Sequence, residues 1–256
     1  MFKKIMSTML IVAITAGIAI GGTVAYLTDR DSKANVFTVG NVGIELVEDF
    51  VQNSKLTPGV DVNKDVQIKN TGANEAWVWY TYAIPKTLDS AGDASANVLH
   101  VNHAGKNWLG YQNNQAYWDA GQTEATPETQ CWIPDYNPTA GNGNPISEVE
   151  MDGIVYNVYA VLYNGKLAKD ATTTIGMTKV YMDTNVDIDT NGDWYLVDKG
   201  AVTGPIWNTV NGNPVIYVSA YAIQADGFDT VQDAYKAYND QWAANGTEYA
   251  PLPTNP

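Results

Sequence analysis

Positive charge is scarce in this chain. Its 256 residues hold 14 Lys plus Arg against 28 Asp plus Glu, a net of −14, and Arg30 is the single arginine. No basic face can be assembled from so few cations, which argues against nucleic acid as a partner and disfavours anionic lipid surfaces. Cysteine is nearly absent. Cys131 stands alone, so an intramolecular disulfide and a four-cysteine zinc site are both excluded; the residue reads as a small buried apolar group. Histidine is limited to His100 and His103. A Gly-x-Ser-x-Gly nucleophile turn is missing, and the segment Gln130–Pro134 carries no cysteine-nucleophile signature. No fixed-period repeat is present, which argues against a solenoid. Charged residues are only 16% of the chain against 45% hydrophobic, so global disorder is excluded as well.

What is abundant points to β structure: 16 Tyr, 8 Trp and 22 Gly. Val60–Asn70 alternates, with Val60, Val62, Val66 and Ile68 on one face and polar residues on the other, as in a half-wet antiparallel strand. Ala76–Ile84 is aromatic on both faces, which predicts a central or covered strand that Pro85 stops. Val155–Tyr163 and Val215–Ile223 read as strands buried on both sides, the latter with Ile216, Val218, Ala220 and Ala222 as a small aliphatic face. Thr172–Met182 is a further strand, and Val36–Val47 is one that Gly40 and Gly43 interrupt. One helix is expected after Asp229, which forms a capping box with Gln232. Its apolar stripe is Val231, Tyr235, Tyr238 and Trp242. The predicted fold is an all-β antiparallel sandwich with one C-terminal helix and a few short helices in loops.

The N-terminus is of another kind. Lys3 and Lys4 precede an uncharged run from Ile5 to Thr28 that closes on small residues, the layout of a secretory signal peptide; a retained membrane anchor is the alternative. Residues 1–26 are therefore assigned as a removed signal, 27–250 as one β-sandwich domain and 251–256 as a loose tail. Removing Lys3 and Lys4 leaves twelve basic against 28 acidic residues, a net of −16.

The segment Gly21-Gly22-Thr23-Val24-Ala25-Tyr26-Leu27-Thr28-Asp29 resembles the signal-peptide end of the TasA/camelysin family of Gram-positive exported proteins. Three later blocks resemble the same family: Asn35–Val42, Leu56–Gly59 with Val66–Gly72, and Ser219–Phe228. The resemblance implies a jelly-roll sandwich and processing at Gly21, Gly22, Thr23, Ala25 and Tyr26 by a SipW-type signal peptidase. It also implies a structural protein of the cell surface or biofilm matrix whose partners are further copies of itself and other matrix proteins. Assembly would proceed by strand donation: residues 27–39, through Leu27, Val36, Phe37 and Val39, would complete a sheet in the next subunit. No cofactor is required under this reading, and no enzymatic activity is expected. A secreted monomeric module binding calcium or carbohydrate is the alternative, and a camelysin-like secreted peptidase a further one.

Three local patterns bear on those alternatives. Asp187, Asp189, Asn191 and Asp193, with Gly192 for a sharp turn and Asp198 at the twelfth position, match the start of a calcium loop. The competing reading is a metal-free β-hairpin turning on Asn191-Gly192. His100 and His103 lack the His-Glu-x-x-His spacing of a zinc peptidase and on a strand would point to opposite faces. Glu148 and Glu150 share one face of a strand, either as an acid–base pair or as a solvated acidic edge. Trp108, Tyr111, Tyr117, Trp118 and Trp132 fall in loop-like sequence, where they would form a sugar platform, a subunit interface or caps over the core.

Overall fold

A computed structural model describes residues 28–31, 42–51, 54–93, 96–103, 132–198, 201–208 and 211–244. The assigned signal residues, Leu27, Val36, Phe37, Val39, Cys131, the loop aromatics from Trp108 to Trp118 and the tail 251–256 lie outside them.

The described chain is antiparallel β structure with one C-terminal helix, as expected. Its strands are β1 (Thr28–Asp31), β2 (Ile44–Asp49), β3 (Val62–Asn70), β4 (Ala76–Pro85), β5 (Leu99–His103), β6 (Trp132–Ile133), β7 (Ser147–Met151), β8 (Ile154–Tyr163), β9 (Met177–Met182), β10 (Val186–Ile188), β11 (Trp194–Asp198), β12 (Ala201–Trp207) and β13 (Tyr217–Gln224). The helix α1 spans Val231–Ala244, and Lys86–Leu88 forms a 3-10 turn after β4. A six-stranded sheet has the order β1-β13-β4-β8-β6, with β7 also pairing to β8; a four-stranded sheet has the order β2-β3-β9-β5. A third sheet, β10-β11-β12, has three strands.

The two larger sheets enclose one apolar core. Val78, Tyr80, Tyr82, Tyr159 and Val161 from the first meet Val66, Ile68, Met177, Val180 and Met182 from the second. Trp194 and Trp207 of the third sheet join the same cluster. Burial of each such aliphatic side chain is worth roughly 1.5–3 kcal/mol. All ten residues of β4 are buried, which explains its doubly apolar sequence. Its other face carries Trp77 and Trp79 into a second cluster with Val231, Ala234, Tyr235 and Tyr238 of α1. Trp79 meets Tyr235 and Tyr238 edge-on, with centroids 5.5 and 5.0 Å away.

Two expectations need correction. On β3 the inward face holds Lys64, Val66, Ile68 and Asn70, while Val60 lies before the strand and is exposed. A register shift against β9 between Asn63 and Val66 accompanies the change. Lys64 is accommodated by an ion pair with Glu48 at 3.0 Å and by the Phe50 ring. At α1 the cap is Thr230 and not Asp229: Thr230 Oγ1 accepts the Asp233 N–H at 3.1 Å and donates to Asp233 Oδ2 at 2.7 Å. This is the reciprocal capping arrangement one residue further along.

Candidate functional site

The charge-poor core contains one concentrated polar array. The loop after β6 turns at Asp135, a non-glycine residue with φ of 49°. That left-handed conformation is uncommon for an L-residue, and here Gly143 N–H bonds the Asp135 carbonyl at 2.9 Å and Tyr136 N–H bonds Ala160. The result drives the Asp135 carboxyl fully inside. Tyr82 donates to its Oδ1 at 2.8 Å. His103 Nε2 lies 3.7 Å from the same oxygen, and His103 Nδ1 faces the Tyr80 hydroxyl at 3.2 Å. Among the described residues, neither His103 Nε2 nor Asp135 Oδ2 has a hydrogen-bond partner.

Electrostatics follow from this burial. Desolvation pushes the Asp135 carboxyl up to about 8, the Tyr82 hydrogen bond opposing and the nearby Asp89 charge adding to the rise. Desolvation pulls the His103 imidazole down to about 3. At neutral pH both groups are thus uncharged, which avoids the cost of burying two ions. Tyr80 and Tyr82 are raised well above their ordinary value, first by burial and then by Asp135.

A second carboxylate lies nearer the surface. Asp89, at the end of the 3-10 turn, accepts from Asn157 Nδ2 and from the Tyr159 hydroxyl, each at 2.6 Å. Burial raises its pKa, while those donors and Asn97 lower it in part. Tyr159 stacks on Tyr82 at 5.1 Å, so the Asp89 and Asp135 arrays share one aromatic pair. Neither aspartate is marked by any sequence pattern: both sit in loops, where no periodicity indicates direction.

The histidines behave as their spacing predicts. His103 points into the core, whereas His100 contacts Asp183 Oδ2 at 3.1 Å and stacks on Tyr181 at 4.6 Å. Glu148 and Glu150 are exposed on β7, with Glu148 paired to Lys86, so they form a solvated edge. Trp132, expected among loop aromatics, is instead buried on β6 with its indole N–H on the Thr174 carbonyl at 3.1 Å.

Residues 187–198 form a hairpin of β10 and β11, with Asp187 opposite Tyr195. Asp189 Oδ1 accepts the backbone N–H groups of Asn191 at 2.8 Å and Asp193 at 2.9 Å, while Gly192 turns at φ 88°. Desolvation, the largest single influence, raises the Asp189 pKa, but the hydrogen bonds from Asp193, Asn191 and Gly192 together outweigh it and hold the carboxyl below its usual range. Asp187 Oδ1 accepts the N–H of Ile188 at 2.8 Å. The Asp189 carboxylate therefore serves the turn itself.

Fold and site together define an antiparallel β protein with a helix-backed central sheet and a neutral buried Asp–His–Tyr array. The model of the camelysin metallo-endopeptidase family matches residues 1–94, and over that span the TasA/camelysin resemblance is borne out. No curated protein sequence matches the chain. The family's description points toward a peptidase and a metal. The described residues do not fit one: no three His, Cys, Asp or Glu side chains among them converge to hold an ion, and the two histidines diverge.

Proposed function

We propose that this chain is an exported structural protein of the cell surface or biofilm matrix, assembling into fibres by donating its N-terminal strand to the next subunit. The position of β1 carries this reading. Within the assigned donor segment 27–39, Thr28–Asp31 pairs antiparallel with Ile223–Ala220 at the outer edge of the six-stranded sheet. A four-residue edge strand contributes few ladder bonds, and its departure uncovers β13 for an equivalent strand. Main-chain hydrogen bonds supply the affinity of such an exchange, and alternate side chains its specificity. A head-to-tail contact of this kind propagates without closing. Cleavage of residues 1–26 by a SipW-type peptidase is the switch, since an uncleaved segment stays in the membrane. The family match over residues 1–94 supports the export and the donor region. Jelly-roll connectivity and association with other matrix proteins belong to the same proposal. Negative-stain microscopy of the chain lacking residues 27–39 tests it: soluble monomers are expected, and persisting fibres overturn the mechanism.

The family's description favours a second reading, a secreted metallo-endopeptidase. Casein hydrolysis that a chelator abolishes would establish it.

A further inference from the structure

Beside the buried array, the 3-10 turn, the loop after β6 and the edge of β5 bound a small cleft that is partly open to solvent. Tyr82, Asp89, Asn97, His100, Gly143 and Tyr159 are among its lining residues, and no Lys or Arg among the described residues lines it. Lys86, three residues before Asp89, is turned away onto Glu148 at 2.6 Å. His100, the one base among the described lining residues, is engaged by Asp183.

Asp89 is oriented without being neutralised. Its carboxylate receives neutral donors from Asn157, Tyr159 and Asn97. An ionised carboxylate has about four acceptor positions, so about one remains for a further donor. Tyr82 and Tyr159, stacked at 5.1 Å, add aromatic surface to the wall. An anion, a vacant acceptor position and phenol rings together select a compact organic cation. Calcium fits poorly, because it takes roughly six to eight oxygen ligands. A guanidinium also fits poorly, because its planar fork wants two free acceptors side by side, and Asp89 Oδ2 already takes two donors.

We propose that this cleft binds a primary ammonium group, of the kind a lysine side chain carries, with Asp89 as its counter-ion and Tyr82 and Tyr159 as its aromatic wall. The site is independent of strand donation and of any peptidase activity. Titration of the purified chain with Nα-acetyl-lysinamide, followed by the backbone amide resonances of Ser90, Gly92 and Gly143, tests it. Saturable shifts are expected; neither the Nε-acetylated analogue nor n-butylguanidinium should move these resonances, and Asp89→Asn should abolish the response to the free amine. Equal binding of n-butylammonium assigns the site to the ammonium group alone, and a clear preference for the lysine amide assigns it to a peptide source; both support the proposal. Absence of shifts, an equal response to the Nε-acetylated analogue or to potassium chloride, or an unchanged response in Asp89→Asn overturns it. The comparison of acetylated with free amine on the unaltered chain decides the matter even where Asp89→Asn misfolds.

Discussion

The Tyr82 hydroxyl donates to Asp135 Oδ1 across 2.8 Å in a region where Asp135 is wholly excluded from solvent. This bond opposes the rise in the Asp135 pKa, yet burial dominates and the group reaches about 8. Stability therefore depends on pH from two sides. Asp135 binds its proton more tightly folded than unfolded, so its contribution is complete below about 4 and is lost as pH rises to about 8. His103, lowered to about 3, acts oppositely: its contribution is present above about 6.5 and lost as pH falls to about 3.

Between about 4 and 6.5 the two slopes cancel, so these groups predict a plateau with losses on either side. Above about 6.5 the fall should approach about 1.4 kcal/mol per pH unit for one proton. Asp89, also raised by burial, adds a loss that begins on the alkaline side of its ordinary value and so tilts the plateau downward towards higher pH. Urea midpoints measured from pH 3 to pH 9 check the shape. In Asp135→Asn the decline between pH 6.5 and 8 should shrink; an unaltered decline would remove Asp135 as its source.

Gly176 is a packing constraint. A Cβ added there would lie 2.7 Å from Tyr80 Cε1 and 2.9 Å from Trp132 Cε2, both fully buried ring atoms. The rings cannot swing away, because Trp132 packs edge-on against Tyr80 and Tyr163. Gly176→Ala should cost about 1–3 kcal/mol in chemical denaturation, with a blue- or red-shifted tryptophan emission reporting the displaced indole.

Thr230 supplies the start of α1. Thr230→Ala should cost about 1 kcal/mol, whereas Asp229→Ala should be close to neutral. Equilibrium unfolding of the two variants separates the observed cap from the one that the sequence alone suggests.

That one-residue difference typifies what was legible. The doubly apolar run Ala76–Ile84 marks the central strand without ambiguity, because burial on both faces leaves no polar phase. Ile216, Val218, Ala220 and Ala222 likewise fall on the core side of β13 or just before it. Lys64 was not legible: its charge masks an inward position that only Glu48 and Phe50 make tolerable. Asp135 was not legible either, since its inward direction depends on a left-handed φ of 49° and on contacts with Gly143 and Ala160 rather than on any pattern. Trp132 looked like a loop residue because a two-residue strand is too short to alternate.

The hairpin at residues 187–198 makes its own prediction. With Asp189 Oδ1 accepting from Asn191 and Asp193, millimolar calcium should leave the melting temperature unchanged, and Asp189→Ala should reduce amide-exchange protection at Gly192. A calcium-dependent rise in the unaltered chain that is absent from Asp189→Ala would support the calcium loop instead.

Strand donation predicts more than loss of fibres on truncation. Because β1 pairs among the described strands with β13 alone, over the register Thr28↔Ile223 to Asp31↔Ala220, the chain lacking residues 27–39 should fold with an open edge at Ala220–Ile223. The core beneath that edge is otherwise complete, since β13 keeps its eight-residue ladder with β4 from Tyr217↔Ala83 to Gln224↔Ala76. A synthetic peptide of residues 27–39 should then bind the truncated chain saturably, raise its melting temperature and slow exchange of the β13 amides. The same peptide in scrambled order should do neither, because the register of residues 28–31 against β13 would be lost. If the authentic peptide binds but the full-length chain forms no fibres at any concentration, β1 is an internal edge strand and not a donor. If the peptide fails to bind a folded truncated chain, donation into this edge is ruled out.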